Sequence, residues 1–122
     1  MPNQDDVVWY LRIEEERTDT VIVLTATGRI SHLTSPALNT ALAAAIDSPV
    51  AGVVLDLSGV DYISSAGLHA VGSASSRMTG EGRTFAVCGL KDAVRVAFGL
   101  AGLAATLTIE PSREAALARA RA

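Results

Sequence analysis

Two adjacent serines, Ser64 and Ser65, follow an apolar stretch and precede Ala66-Gly67-Leu68-His69, a run suited to the first turn of a helix. Hydroxyls at a helix start can cap it, because their oxygens accept hydrogen bonds from backbone N–H groups that have no partner within the helix. A phosphoryl group carried on such a serine would be stabilised by the same N–H groups and by the helix dipole. It would also add about −1.5 to −2 charges and three acceptor oxygens, enough to repel a partner surface that carries carboxylates. The residue types allow either a cap or a modification switch.

Other chemistry is harder to build from this chain. Ser65-Ala66-Gly67 matches the end of a hydrolase nucleophile elbow, but Ile63 stands where that motif needs glycine. No catalytic residue is therefore assigned, and the protein is not expected to be an enzyme. His32 and His69 are the two histidines, and no carboxylate or thiolate has metal-ligand spacing around them, so no metal site is expected. No G-x-x-x-x-G-K-[ST] loop occurs, and nothing else calls for a cofactor. Asp56 and Asp61 bracket Ser58-Gly59 and read as turn-capping residues, with a docking role as the functional alternative. Cys88 lies in an apolar strand pattern and reads as a core residue, not an activated thiolate.

Composition narrows the partners. The net charge is −3, and the ten Lys and Arg residues are scattered, so a nucleic-acid footprint is absent. Trp9 reads as a strand-edge or dimer contact, which leaves a homodimer open. The acidic start Met1-Pro2-Asn3-Gln4-Asp5-Asp6 is unlike a secretory leader, and no apolar run has the length of a membrane helix. A soluble cytoplasmic protein of one domain, residues 1–122, is the expectation, with no membrane partner.

The elements that would position the serines follow from periodicity. Val7 to Ile13 alternates as a first strand, and Thr20 to Ala26 is a β-branched second strand joined to it by the charged link from Glu14 to Asp19. So short a link favours an antiparallel pair. Ser35-Pro36 reads as a helix cap followed by proline at the first helical position, with Leu38, Leu42, Ala45 and Ile46 as the core face. Val50 to Leu57 reads as a strand covered on both faces, ending at a Ser58-Gly59 turn. A helix from Ser64 or Ser65 would use Leu68, Val71, Ser75 and Met78, and would stop at Gly80-Glu81-Gly82. Thr84 to Cys88 is the next strand, and a helix from Lys91 to about Leu100 uses Val94 and Phe98. A short strand over Leu107-Thr108-Ile109 and an Ala-rich helix opened by Pro111 and Ser112 complete the pattern. Such alternation predicts an α/β fold with a mostly parallel sheet of four to five strands and about four helices. It would bring Ser31 and His32 to the carboxyl edge of the sheet, near Ser64, Ser65 and His69.

Three stretches carry a resemblance to a known family, the STAS domains, and among them to the stand-alone bacterial anti-sigma factor antagonists. Val21 to Ile30 resembles the family's second strand and Gly-x-Leu turn. Val53 to Leu68 resembles its Asp-Leu-Ser…Asp-Ser-Ser-Gly-Leu block, and Phe85 to Phe98 its following strand and helix. The resemblance implies a mixed sheet flanked by helices, and binding to an anti-sigma factor that is also a GHKL-type serine kinase. Binding would release a sigma factor, phosphorylation of a serine at the helix start would end it, and a PP2C-type phosphatase would restore it. By position the acceptor falls on Ser65, with Ser64 as second choice. The implied partner face is Ser31, His32, Ser64, Ser65, Ala66, Gly67, Leu68 and His69. Ser64 stands where the family commonly has an acidic residue, Ala66 where it has serine, Ser31 where it often has Asp, and His69 where it has a small residue. Two further readings accompany this one: a STAS module serving as a constitutive subunit of a sensory or transport assembly, and a module that binds a nucleotide or other small ligand.

Overall fold

The computed structural model describes residues 10–121. Five strands, β1 (Leu11–Thr18), β2 (Val21–Ile30), β3 (Gly52–Ile63), β4 (Thr84–Cys88) and β5 (Thr108–Glu110), lie side by side in chain order. β1 runs antiparallel to β2, and all the other neighbours are parallel. Among the described residues the helices are α1 (Ser35–Asp47), α2 (Ser65–Gly80), α3 (Asp92–Leu100) and α4 (Arg113–Arg121), with one 3-10 turn over Leu103–Ala105. The α/β mixed sheet with four helices is the predicted architecture. No helix among the described residues is long and apolar enough to cross a membrane.

The sheet separates two cores. Ile22, Leu24 and Ile30 of β2 and Leu55 and Leu57 of β3 pack beneath Leu38 and Leu42 of α1, Val71 and Met78 of α2, and Phe98 of α3. On the other face Val21, Val23, Val54, Ala86 and Cys88 meet Ala116 and Ala120 of α4. This explains the unbroken apolar run in β3, since alternate residues are buried on opposite faces. Arg83 fastens the end of α1 by donating to the carbonyl oxygens of Ile46, Ser48 and Val50 at 2.9, 3.2 and 3.3 Å. The Ile46 carbonyl lies in the last turn of α1, where carbonyls have no partner within the helix.

Several boundaries differ from the sequence reading. Val7, Val8 and Trp9 lie outside the described residues. Glu14, Glu15 and Glu16 belong to β1 and are exposed there, and the turn is Asp19-Thr20, with Asp19 at φ 56°. Asp tolerates that backbone better than most residues. Ser35 is not the cap of α1 but its first residue, buried, with its hydroxyl donating to His32 O; Thr34 holds the cap position. β3 does not end at Leu57. It continues through two bulges, advancing from Asp56 to Gly59 as β2 goes from Thr25 to Thr27, and from Val60 to Tyr62 as β2 goes from Gly28 to Arg29. Each bulge adds one residue to β3. The core-facing positions therefore shift from Val53, Leu55 and Leu57 to Val60 and Ile63, while Ser58 and Asp61 project outward.

Asp56 ties α4 to the sheet. It is only 7% exposed, and its carboxylate accepts from Ser58 N at 2.9 Å and from Arg113 Nε and Nη2 at 3.2 and 3.1 Å. Arg113 also donates to Thr25 Oγ1 and Glu16 Oε1, at 2.6 and 3.0 Å. Burial pushes the Asp56 carboxyl up, but the Ser58 hydrogen bonds and the Arg113 guanidinium outweigh it and hold the group below its usual range. Burial and the neighbouring Asp56 charge push the Cys88 thiol up to about 12, so it stays protonated.

A carboxyl with a lowered folded-state pKa stabilises fully above its unfolded value, about 3.9. That contribution disappears as pH falls through the lower folded value. Asp56→Asn is expected to flatten the acid limb of stability against pH below about 4. Asp56→Ala should cost about 1–2 kcal/mol at pH 7, the partial exposure of Arg113 reducing the pair's worth. Urea unfolding at pH 2.5–7 checks both.

Candidate functional site

The carboxyl ends of β2 and β3 set the position of the double serine. Ser64 N donates to Ile30 O at 2.7 Å, which fastens the start of α2 to the end of β2. Ser64 is the N-cap: its backbone is extended and its Oγ accepts from Gly67 N at 3.2 Å. Its carbonyl accepts from Leu68 N at 2.9 Å. Ser65, the first residue of α2, is exposed. One serine closes the helix and the other faces outward, a division that the sequence left open.

Gly67 makes this geometry attainable. A methyl group there would stand 2.5 Å from Ile30 Cγ2 and 2.8 Å from Ile63 Cγ1. Gly67 is buried against the sheet, and Ala70 and Ala74 continue the same small-residue face. Leu68 and Ser75, expected in the core, are half-buried instead. Close approach of α2 to the sheet favours small residues on that face, which turns Leu68 toward the rim.

The loop between β2 and α1 carries Ser31 and His32. Ser31 is 4% exposed and occupied within the loop: its N–H donates to Thr34 Oγ1 at 2.8 Å, and its Oγ accepts from Leu33 N and Thr34 N at 3.2 and 3.3 Å. Thr34 Oγ1 donates in turn to Arg29 O at 2.7 Å. His32 is exposed, and so is Leu33, at 67%. Leu33 was missed from sequence because it lies out of phase with the Leu38–Leu42 face of α1 and suggested no core role. Among the expected face residues, His32, Ser65, Ala66 and His69 are exposed and Leu68 is at the rim; Ser31, Ser64 and Gly67 form the support behind them.

Two grooves open beside α2. The larger, about 1020 Å³, runs from Ser65, Leu68 and His69 past Gly72 to Leu103 and Leu107. The smaller, about 450 Å³, lies between α1 and α2 and includes Pro36, Asn39, Ala66 and His69. Among the described residues no Asp, Glu, Lys or Arg lines either groove. Asp61, once read as a turn cap, makes an exposed pair with Lys91 at 2.6 Å. Arg29 stacks over Tyr62, 4.1 Å from the ring centroid, across the adjoining ends of β2 and β3. Among the described residues no three of His, Cys, Asp or Glu are grouped to hold a metal. Chemically the site is a neutral, partly apolar face with one projecting hydroxyl at a helix start.

Comparison with known proteins agrees with this fold. The family model described as "STAS domain" matches residues 12–116. The Bordetella bronchiseptica protein named "Putative anti-sigma factor antagonist BtrV" is 32% identical over 108 residues, which are 88% of this chain and 93% of that one. An anti-sigma factor antagonist from Mycobacterium paratuberculosis superposes with a TM-score of 0.86 at 29% identity, over 93% of this chain and 96% of that one. The Bacillus cell fate determinant SpoIIAA in its phosphorylated form shares the fold, with a TM-score of 0.69 at 16% identity over 88% of this chain and 98% of that one.

The two serines should differ in stability effect. Ser64→Ala is expected to cost about 1 kcal/mol through loss of the cap, and Ser65→Ala to stay within about 0.5 kcal/mol of the parent. Gly67→Ala should lose about 1–2 kcal/mol, as overpacking outweighs the helix-propensity gain. Gly99→Ala, where an added methyl meets nothing within 4 Å, should match or exceed the parent. Urea midpoints compared with the parent chain measure all four.

Proposed function

Because the chain belongs to the STAS domain family, we propose that it is an anti-sigma factor antagonist whose docking face is switched by phosphorylation of Ser65. Unmodified, the face made by His32, Leu33, Ser65, Ala66, Leu68 and His69 docks on an anti-sigma factor of the GHKL serine-kinase type, and the sigma factor held by that partner is released. The kinase transfers the γ-phosphoryl group of Mg-ATP to Ser65 Oγ; the hydroxyl proton leaves and ADP departs. About −1.5 to −2 charges then stand on a face that holds no other anion, and desolvating them against the partner opposes binding. A PP2C-type phosphatase restores the hydroxyl by hydrolysis. The chain itself acts as a binding module in the cytoplasm and supplies no catalytic group.

The observation that carries this reading is the division of labour between the serines. Ser64 holds the helix through its hydrogen bond with Gly67 N, whereas Ser65 projects to the surface at the next residue. A phosphoryl group on Ser64 would turn the capping hydroxyl into an ester and disturb its hydrogen bond with Gly67 N. One on Ser65 leaves the fold intact and changes only the face.

The test is binding to the purified kinase partner by calorimetry. Ser65→Asp should weaken binding by about tenfold or more, which is about 1.4 kcal/mol, and Ser65→Ala should bind as the parent does. Equal binding of the parent and Ser65→Asp would overturn the switch and favour a constitutive subunit.

A further inference from the structure

We propose that His69 is this chain's own counter-charge for a phosphoryl group on Ser65, the two pairing across one turn of α2. The inference rests on Ser65 being the acceptor. Residues 65 and 69 are i,i+4 neighbours on a helix, which puts their β-carbons about 5–6 Å apart on the same side. Both line the larger groove, and His69 stands on the ridge between that groove and the smaller one.

The surroundings leave His69 without competition. α1 presents Ser35, Pro36 and Asn39 to it, α2 presents only small or hydroxyl residues besides Leu68, and segment 101–107 presents Leu103 and Thr106. Among the described residues His69 is thus the one titratable side chain lining either groove. Among the described residues its imidazole takes part in no hydrogen bond or ion pair. His32, on the loop before α1, lines neither groove.

A phosphoserine loses its second proton near pH 6, and an exposed imidazole gains one at about pH 6.5. Placed side by side, the dianion favours the imidazolium and the imidazolium favours the dianion. The modified chain therefore takes up a solvent proton on His69 near neutrality. The Ser65–His69 pair of the modified chain therefore carries less net negative charge near pH 6.5 than at pH 8. Phosphorylation thereby becomes a stronger repellent in alkaline than in acid conditions. A small residue at position 69 could not grade the switch in this way.

The test installs phosphoserine at position 65 by genetic code expansion, so no kinase is involved. Proton–nitrogen NMR titration of the full chain should show the His69 titration moving up by about half a unit on modification, with His32 moving clearly less. Phosphorus NMR should show the second ionisation of phosphoserine 65 below its ordinary value, and His69→Gln should return it upward. An unchanged His69 pKa, a rise at His32 as large as at His69, or a phosphorus titration that His69→Gln leaves unmoved would overturn the pairing. Failure of the kinase partner to modify Ser65 would overturn the acceptor reading without affecting this result.

Discussion

The close approach of Gly67 to Ile30 and Ile63 governs the candidate site. With no β-carbon, Gly67 lets the first turn of α2 settle onto the carboxyl ends of β2 and β3, where a methyl group would meet Ile30 Cγ2 at 2.5 Å. That seating brings Ser64 N within 2.7 Å of Ile30 O, and Ser64 Oγ within reach of Gly67 N. Ser64 is then committed to the cap, and Ser65 is left outside. The bulges in β3 complete the core there: in unbroken alternation Val60 would face away from Leu57 and Ile63, and the two extra residues let Val60 and Ile63 both face the core.

Charge stands apart from the two grooves. The Asp56–Arg113–Glu16 network lies on the side covered by α4, where it fixes that helix, whereas among the described residues no carboxylate, ammonium or guanidinium lines the grooves beside α2. A neutral face gives a single added phosphoryl group its largest relative effect. The same neutrality leaves His69 as the group best placed to answer it.

Much of this architecture was legible from apolar periodicity. The strand–helix alternation, the antiparallel first pair, the range Thr84–Cys88 and the buried Val94 and Phe98 all follow from runs whose side chains carry a strong hydrophobic signal. The buried face of α2 was not legible, because Gly67, Ala70 and Ala74 bury through smallness and register weakly on any hydrophobic count. Ser58-Gly59 suggested a turn because a bulged strand and a turn favour similar residues. Glu14 to Glu16 suggested a loop, yet exposed strand positions near a sheet edge accept such charges. At the site, Ser64 and Ser65 are equivalent as residue types. The hydrogen bonds of Ser64 N to Ile30 O and of Gly67 N to Ser64 Oγ distinguish them, and both depend on how α2 is seated.

The central claim is that adjacent serines have separate duties, one holding the helix and the other receiving the phosphoryl group. Phosphopeptide mapping by mass spectrometry after incubation with the kinase partner and Mg-ATP addresses it directly. The account predicts a single phosphate on Ser65, retained in Ser64→Ala and abolished in Ser65→Ala. A phosphate mapped to Ser64, or its persistence in Ser65→Ala, would contradict it.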